Sequence, residues 1–149
     1  MPRYISTKTY DHNEGLNCVF RKWKSDGKDR FLHGYNIQVK LVFEVQELDE
    51  KEYALDFNLL DPIRDYLRDR FDHKVVVSSD DPELETFRDL GEKGIIDLSI
   101  CDGVGLEKFA EQIWHCVSGY VHDNNLVPRV MIRTVEVREH QGNSHLFLF

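Results

Sequence analysis

The sequence predicts an α+β fold: an antiparallel four-stranded sheet with two long helices inserted between its second and third strands and packed on one face. Three observations lead there. The run Ile37 to Val45 alternates with a period of two, and two later segments carry apolar residues at helical spacing. Two further β-rich runs then close the chain around Gln141-Gly142-Asn143. Strands at both ends with helices grouped between them read as α+β rather than as alternating βα units.

Taken in order, Tyr4 to His12 is rich in Tyr, Ile and Thr and has strand character, and Asn17 to Trp23 continues it beyond a turn at Asn13-Glu14-Gly15. In the next run Ile37, Val39, Leu41, Phe43 and Val45 share one face while Gln38, Lys40 and Glu44 take the other. That is the signature of a half-buried strand. Asp61 is suited to cap a helix and Pro62 to its first turn. Ile63, Tyr66, Leu67, Arg70 and Phe71 then follow the i, i+3, i+4, i+7, i+8 pattern. A second helix begins near Gly105, with Leu106, Phe109, Ala110, Ile113, Trp114 and Val117 as its stripe and Gly119 as its expected end. Between the helices, Val75 to Val77 and Ile95 to Ile100 are strand candidates flanking a small helix that opens at Asp81-Pro82. Val130 to Glu139 and Ser144 to Phe149 form the closing hairpin.

The 149 residues suit a single domain, 1–149, with a real core. Hydrophobic residues make up 41% and charged residues 31%, and no apolar run reaches the roughly 20 residues of a membrane helix. The polar N-terminus is not a signal peptide, and Cys18, Cys101 and Cys116 form no CxxC pair. A reducing, cytoplasmic setting is therefore expected. The net charge of -8 argues against nucleic acid as a partner. One stretch runs the other way: RKWKSDGKDR, Arg21 to Arg30, holds five basic and two acidic residues. It is either a solvated loop or a phosphate-facing patch. A small sheet with two open edges invites closure by neighbouring subunits, so a homo-oligomer is expected.

Of the seven histidines, His115 and His122 belong to the second helix and His140 and His145 flank the last turn. His12, His33 and His73 lie where separate segments can converge. Asp72-His73 ends the first helix, where the carboxylate can hold the imidazole's tautomer; the plainer role is a helix cap. Glu139 follows Val135 and Val137 at a spacing of two and so shares their face. A carboxylate there, at the rim of the core or in a pocket, requires donors.

These features come in a recognisable order. TYDH (Thr9 to His12), LHGYN (Leu32 to Asn36), ALDF (Ala54 to Phe57), DH (Asp72-His73), GLE (Gly105 to Glu107) and VEVRE (Val135 to Glu139) span nearly the whole chain. Together they resemble the 6-pyruvoyl-tetrahydropterin synthase / 6-carboxytetrahydropterin synthase family of the tunnelling fold, or T-fold. The resemblance implies a carbon–oxygen lyase acting on dihydroneopterin triphosphate or a similar pterin-like substrate. In that family, zinc held by three histidines acidifies neighbouring C–H groups, a cysteine and an Asp-His pair move protons, and a glutamate clamps the pterin. Carried over by position, His12 and His33 are zinc ligands, Asp72 and His73 the proton relay, and Glu139 the pterin anchor, with Glu107 in support. The family's barrels imply six subunits as two stacked trimers.

Two departures stand out. Tyr35 occupies the place of the third histidine, and a neutral phenol is a poor zinc ligand. Completion by a Tyr35 phenolate, Asp29 or Cys18, or no metal at all, are the alternatives. Asp29 stands where the catalytic cysteine is expected, and a carboxylate is a weaker base than a thiolate unless burial changes it. Two activities are therefore open: a lyase with an altered catalytic set, or a T-fold oligomer that binds pterins or purines without turning them over.

Overall fold

Alternation becomes a sheet face first in β4, Gln38–Val45, whose Val39, Leu41, Phe43 and Val45 are completely buried. In the computed structural model, which describes residues 3–149, β4 is paired on both sides. On one side lies β1, Tyr4–Tyr10, antiparallel from Tyr4 opposite Val45 to Tyr10 opposite Val39. On the other lies β7, Val130–His140, which pairs in turn with β8, Asn143–Leu148. The main sheet thus has the order β1-β4-β7-β8 and is antiparallel throughout.

Helices α1, Asp61–Phe71, and α3, Leu106–Asp123, are inserted between β4 and β7 and bury one stripe each. For α1 the stripe is Ile63, Leu67 and Phe71. Asp61 turns out to be its first residue rather than its cap. The preceding turn, Phe57–Leu60, is capped instead by Asp56, whose carboxylate accepts the Asn58 N–H at 3.0 Å. For α3 the helix runs one turn past Gly119. An exposed helical glycine costs about 1 kcal/mol. Burying Val121 one turn after Val117 returns roughly 1.5–3 kcal/mol, and the Tyr120 hydroxyl donates to the Leu59 carbonyl.

The segment after β1 does not continue its sheet. A turn at His12–Glu14, ended by Gly15 in the left-handed region (φ 68°), swings the chain into β2, Asn17–Phe20. There β2 pairs antiparallel with β3, His33–Asn36, and parallel with β5, Lys74–Ser78. A parallel pair of β5 with β6, Asp97–Cys101, completes a second sheet of order β3-β2-β5-β6, crossed over by α2, Leu84–Glu92. One face of this sheet joins the main core, where Phe20 meets Phe109 edge-on at 5.2 Å and Phe109 meets Phe71 at 5.0 Å. Val77 and Phe87 are buried outside that core, where α2 covers the other face. No helix is long and apolar enough to cross a membrane among the described residues.

Candidate functional site

The β2–β3 hairpin is the centre of the candidate site. Its register sets Phe20 opposite His33 and Cys18 opposite Tyr35, so these four side chains share one face. Three of the rings close a triangle: Phe20 to His33 is 4.9 Å between centroids, His33 to Tyr35 is 5.5 Å and Phe20 to Tyr35 is 6.0 Å. The Nδ1–H of His33 donates to the Phe31 carbonyl at 2.8 Å, which leaves Nε2 as its acceptor.

Glu139 reaches this hairpin from β7. The β7–β8 register slips between Arg138 and His140, and Glu139 sits at that bulge, where the strand can re-aim a side chain. Its side chain is only 19% exposed. The Asn143 amide donates to Oε1 at 2.6 Å, and His140 lies 3.6 Å away. Burial raises the pKa of the Tyr35 phenol, and the facing Glu139 carboxylate and the Asp29 charge add to the shift.

At the other end of β2, the first residue after α1 and its neighbour form the Asp72–His73 pair. The His73 Nδ1–H donates to the Asp72 carboxylate at 2.5 Å, leaving Nε2 free. His73 has φ 59°, a left-handed backbone that costs a non-glycine residue roughly 1–2 kcal/mol. A 2.7 Å bond from its N–H to the Asn17 carbonyl holds it there. Its side chain is 81% exposed. His73 and Tyr35 line one groove of about 440 Å³ with Asn17, Val19, Asn36 and Val75.

Glu107 lies elsewhere, at the start of α3. The Lys22 ammonium donates to it at 3.0 Å and the His145 ring lies 2.9 Å away. Burial opposes its ionisation, yet Lys22 and His145 hold its pKa below the ordinary value. Gly105 permits this approach: its φ is 114°, and a Cβ would fall 2.5 Å from Lys22 Cε. Asp29 is exposed and lines a larger cleft of about 640 Å³ with Lys22, Trp23, Asp80, Asp102 and Lys108. The basic loop is not a bare cationic patch. Arg21 forks onto buried Asp81 at 2.5 and 2.9 Å, Lys22 holds Glu107, and Lys24 lies 3.5 Å from Asp80, which also accepts the Trp23 indole N–H.

The expected zinc site is not found among the described residues. His12 belongs to the turn before β2, and its carbonyl accepts a 3.4 Å bond from Asn36, at the end of the hairpin remote from His33. The residue facing His33 is Phe20, an apolar side chain that carries no sequence signal of a site. Cys18 is no substitute, since burial pushes its thiol up to about 12. Among the described residues no group of three or more His, Cys, Asp or Glu side chains is placed to hold a metal ion. The residues present do not fit a three-histidine zinc site. Asn143, the donor on Glu139, carries in the sequence only the signal of a hairpin turn.

Comparison with known proteins agrees with this architecture. A family model for 6-pyruvoyl tetrahydropterin synthase matches residues 10–147. No curated protein matches. Among solved structures, an uncharacterised protein from Wolinella succinogenes superimposes with a TM-score of 0.83 at 16% identity over 99% of both chains. The 6-pyruvoyl tetrahydropterin synthase of Plasmodium falciparum gives 0.71 at 16% identity, covering 97% of this chain and 96% of the other. The Plasmodium vivax enzyme, with a catalytic glutamate replaced by alanine, gives 0.69 at 15% identity over 97% of both. These structural matches speak for the fold, while the family model spans all but the ends of the sequence. The chain belongs to the 6-pyruvoyl tetrahydropterin synthase family.

Proposed function

We propose that this chain is a carbon–oxygen lyase acting on a pterin-like triphosphate such as dihydroneopterin triphosphate, with His73 as the proton-transfer group. The observation that carries this reading is the Asp72–His73 pair. Asp72 fixes the ring's tautomer and leaves an exposed Nε2 as a proton acceptor, on a backbone held in a costly conformation beside a groove. Strain at an exposed histidine has no evident benefit to folding.

In the proposed step, His73 Nε2 takes a proton from a side-chain carbon of the substrate. The C–H electron pair becomes a C=C bond, and the C–O pair departs with triphosphate. Glu139 accepts from the amino and ring N–H edge of the heterocycle, taking over from the Asn143 amide that engages it in the free protein. Asp29, the carboxylate in the place of the expected cysteine, serves as the second base. In the Plasmodium vivax relative a glutamate is a catalytic residue, so a carboxylate does serve catalysis in this family. Glu107, clamped by Lys22 and His145, positions the start of α3. Copies of the chain close the sheet at its edges, where Tyr4 and Ile5 of β1 and Leu146 and Leu148 of β8 are exposed.

Incubation of the pure protein with dihydroneopterin triphosphate, following released triphosphate, tests the reading. Turnover lost in His73→Ala is expected; no release by the parent protein ends the proposal for that substrate. A second reading, a pterin-binding oligomer without turnover, is favoured by one observation: Tyr35 stands beside His33 in the place where the resemblance asks for a third ligand, and the residue facing His33 is Phe20, which has no donor atom. Pterin binding that depends on Glu139, in the absence of turnover, is its expected signature.

A further inference from the structure

The triangle of rings on the β2–β3 hairpin has the dimensions of a zinc site. Three imidazoles on one tetrahedral zinc, with Zn–N near 2.0–2.1 Å, stand with their centroids roughly 5 Å apart. Phe20, His33 and Tyr35 are 4.9, 5.5 and 6.0 Å apart and project from one face of two paired strands. The frame that would hold three ligands is therefore intact, but only one corner of it carries a metal-binding nitrogen.

We propose that this chain is a metal-independent member of its family, in which Phe20 and Tyr35 fill two of the three ligand positions. Phe20 offers no donor atom. It is 3% exposed and packs edge-on against Phe109 of α3, so it belongs to the core and cannot swing aside for another ligand. Tyr35 offers only a phenol whose ionisation burial and the Glu139 charge oppose, and a neutral phenol is a poor zinc ligand. His33 retains Nε2 alone. His12 sits at the far end of the hairpin, and the Cys18 sulfur is buried in the core. Proton transfer in this protein must then come from side chains, with no Lewis acid to help.

The proposal rests on the family assignment and not on the substrate, so failure to turn over a pterin leaves it standing. It is tested by metal content. Protein purified without chelators and analysed by mass spectrometry is expected to carry zinc only at background, and its Tm should not move with added zinc or EDTA. The double variant Phe20→His, Tyr35→His should instead take up about one zinc per chain, and zinc should then raise its Tm. About one zinc per parent chain, retained through dialysis and lost in His33→Ala, overturns the proposal. So does a double variant that folds by circular dichroism yet binds no zinc. If the double variant does not fold, Tyr35→His alone, which leaves Phe20 in the core, decides: cobalt(II) affinity at least tenfold above the parent supports the ligand frame, and unchanged affinity rejects it.

Discussion

The two ends of β2, three residues apart, have been used in opposite ways. At Phe20 the strand ends in closely packed rings: Phe109 from the core on one side, His33 and Tyr35 on the other, and Arg21 immediately beyond, forked onto a buried carboxylate. At Asn17 the neighbouring residue His73 stands exposed on a left-handed backbone with one ring nitrogen free. The packed end contributes stability and few reactive atoms. The strained end costs stability and presents an exposed imidazole nitrogen. Apolar packing occupies the hairpin end nearest the core, while the Asp72–His73 pair lies at the solvent edge.

The largest effect should come from breaking the packed end. Phe20→Ala removes a buried ring and leaves a cavity, and denaturant unfolding should show a loss of about 3–5 kcal/mol. A loss below 1 kcal/mol would mean that the ring triangle is loosely held and that the two ends of β2 do not differ as described. Next is Asp81→Ala, which strands the half-buried Arg21 guanidinium and should cost about 3 kcal/mol. The same pair carries a pH dependence. Burial of Asp81 opposes ionisation, but its bonds from Arg21 and the Glu83 N–H hold its pKa below the ordinary 3.8. A depressed folded-state pKa gives stability that is complete above the unfolded value and disappears as pH falls through the folded one. Unfolding curves of the parent should therefore begin to approach those of Asp81→Ala only as pH falls below about 4, and meet them once it is below the folded-state pKa. Curves that stay separate would assign the stabilisation to something other than the ion pair.

At the reactive side, Glu139→Gln should weaken pterin binding by about 1–3 kcal/mol in calorimetry, as for a lost charged hydrogen bond, with folding stability little changed. Unaltered affinity would remove Glu139 from the site under either functional reading. The smallest effect sharpens the contrast most. His73→Gly relieves the positive φ and should raise stability by about 0.5–1 kcal/mol while abolishing triphosphate release. A variant both less stable and still active would show that His73 is a structural cap and that the strain serves folding.

Several parts of this molecule were readable without coordinates because their signals are local. The alternation of Val39, Leu41, Phe43 and Val45 placed them all in the core, since a strand's period of two needs no partner to be recognised. The stripe from Leu106 to Val117 placed α3 for the same reason. Counting puts Glu139 on the face of Val135 and Val137; its side chain is 19% exposed, at a bulge that interrupts the strand's alternation. The adjacency of Asp72 and His73 is covalent. Where the reading failed, the missing information was long-range. Asn17 to Trp23 reads as an extension of β1, but Gly15 redirects it into a second sheet, where its parallel pairing with β5 joins residues more than fifty positions apart.

Sequence alone therefore determined where β4, β7, α1 and α3 lie and which side of each is apolar, because these follow from backbone periodicity and side-chain transfer from water. Tertiary structure alone decided that His33 faces Phe20 and not His12, that the basic loop spends its charge on Asp80, Asp81 and Glu107, and that His73 bears strain. Each of those depends on the register between segments distant in the chain, and register is set by how the whole core packs rather than by any stretch within it.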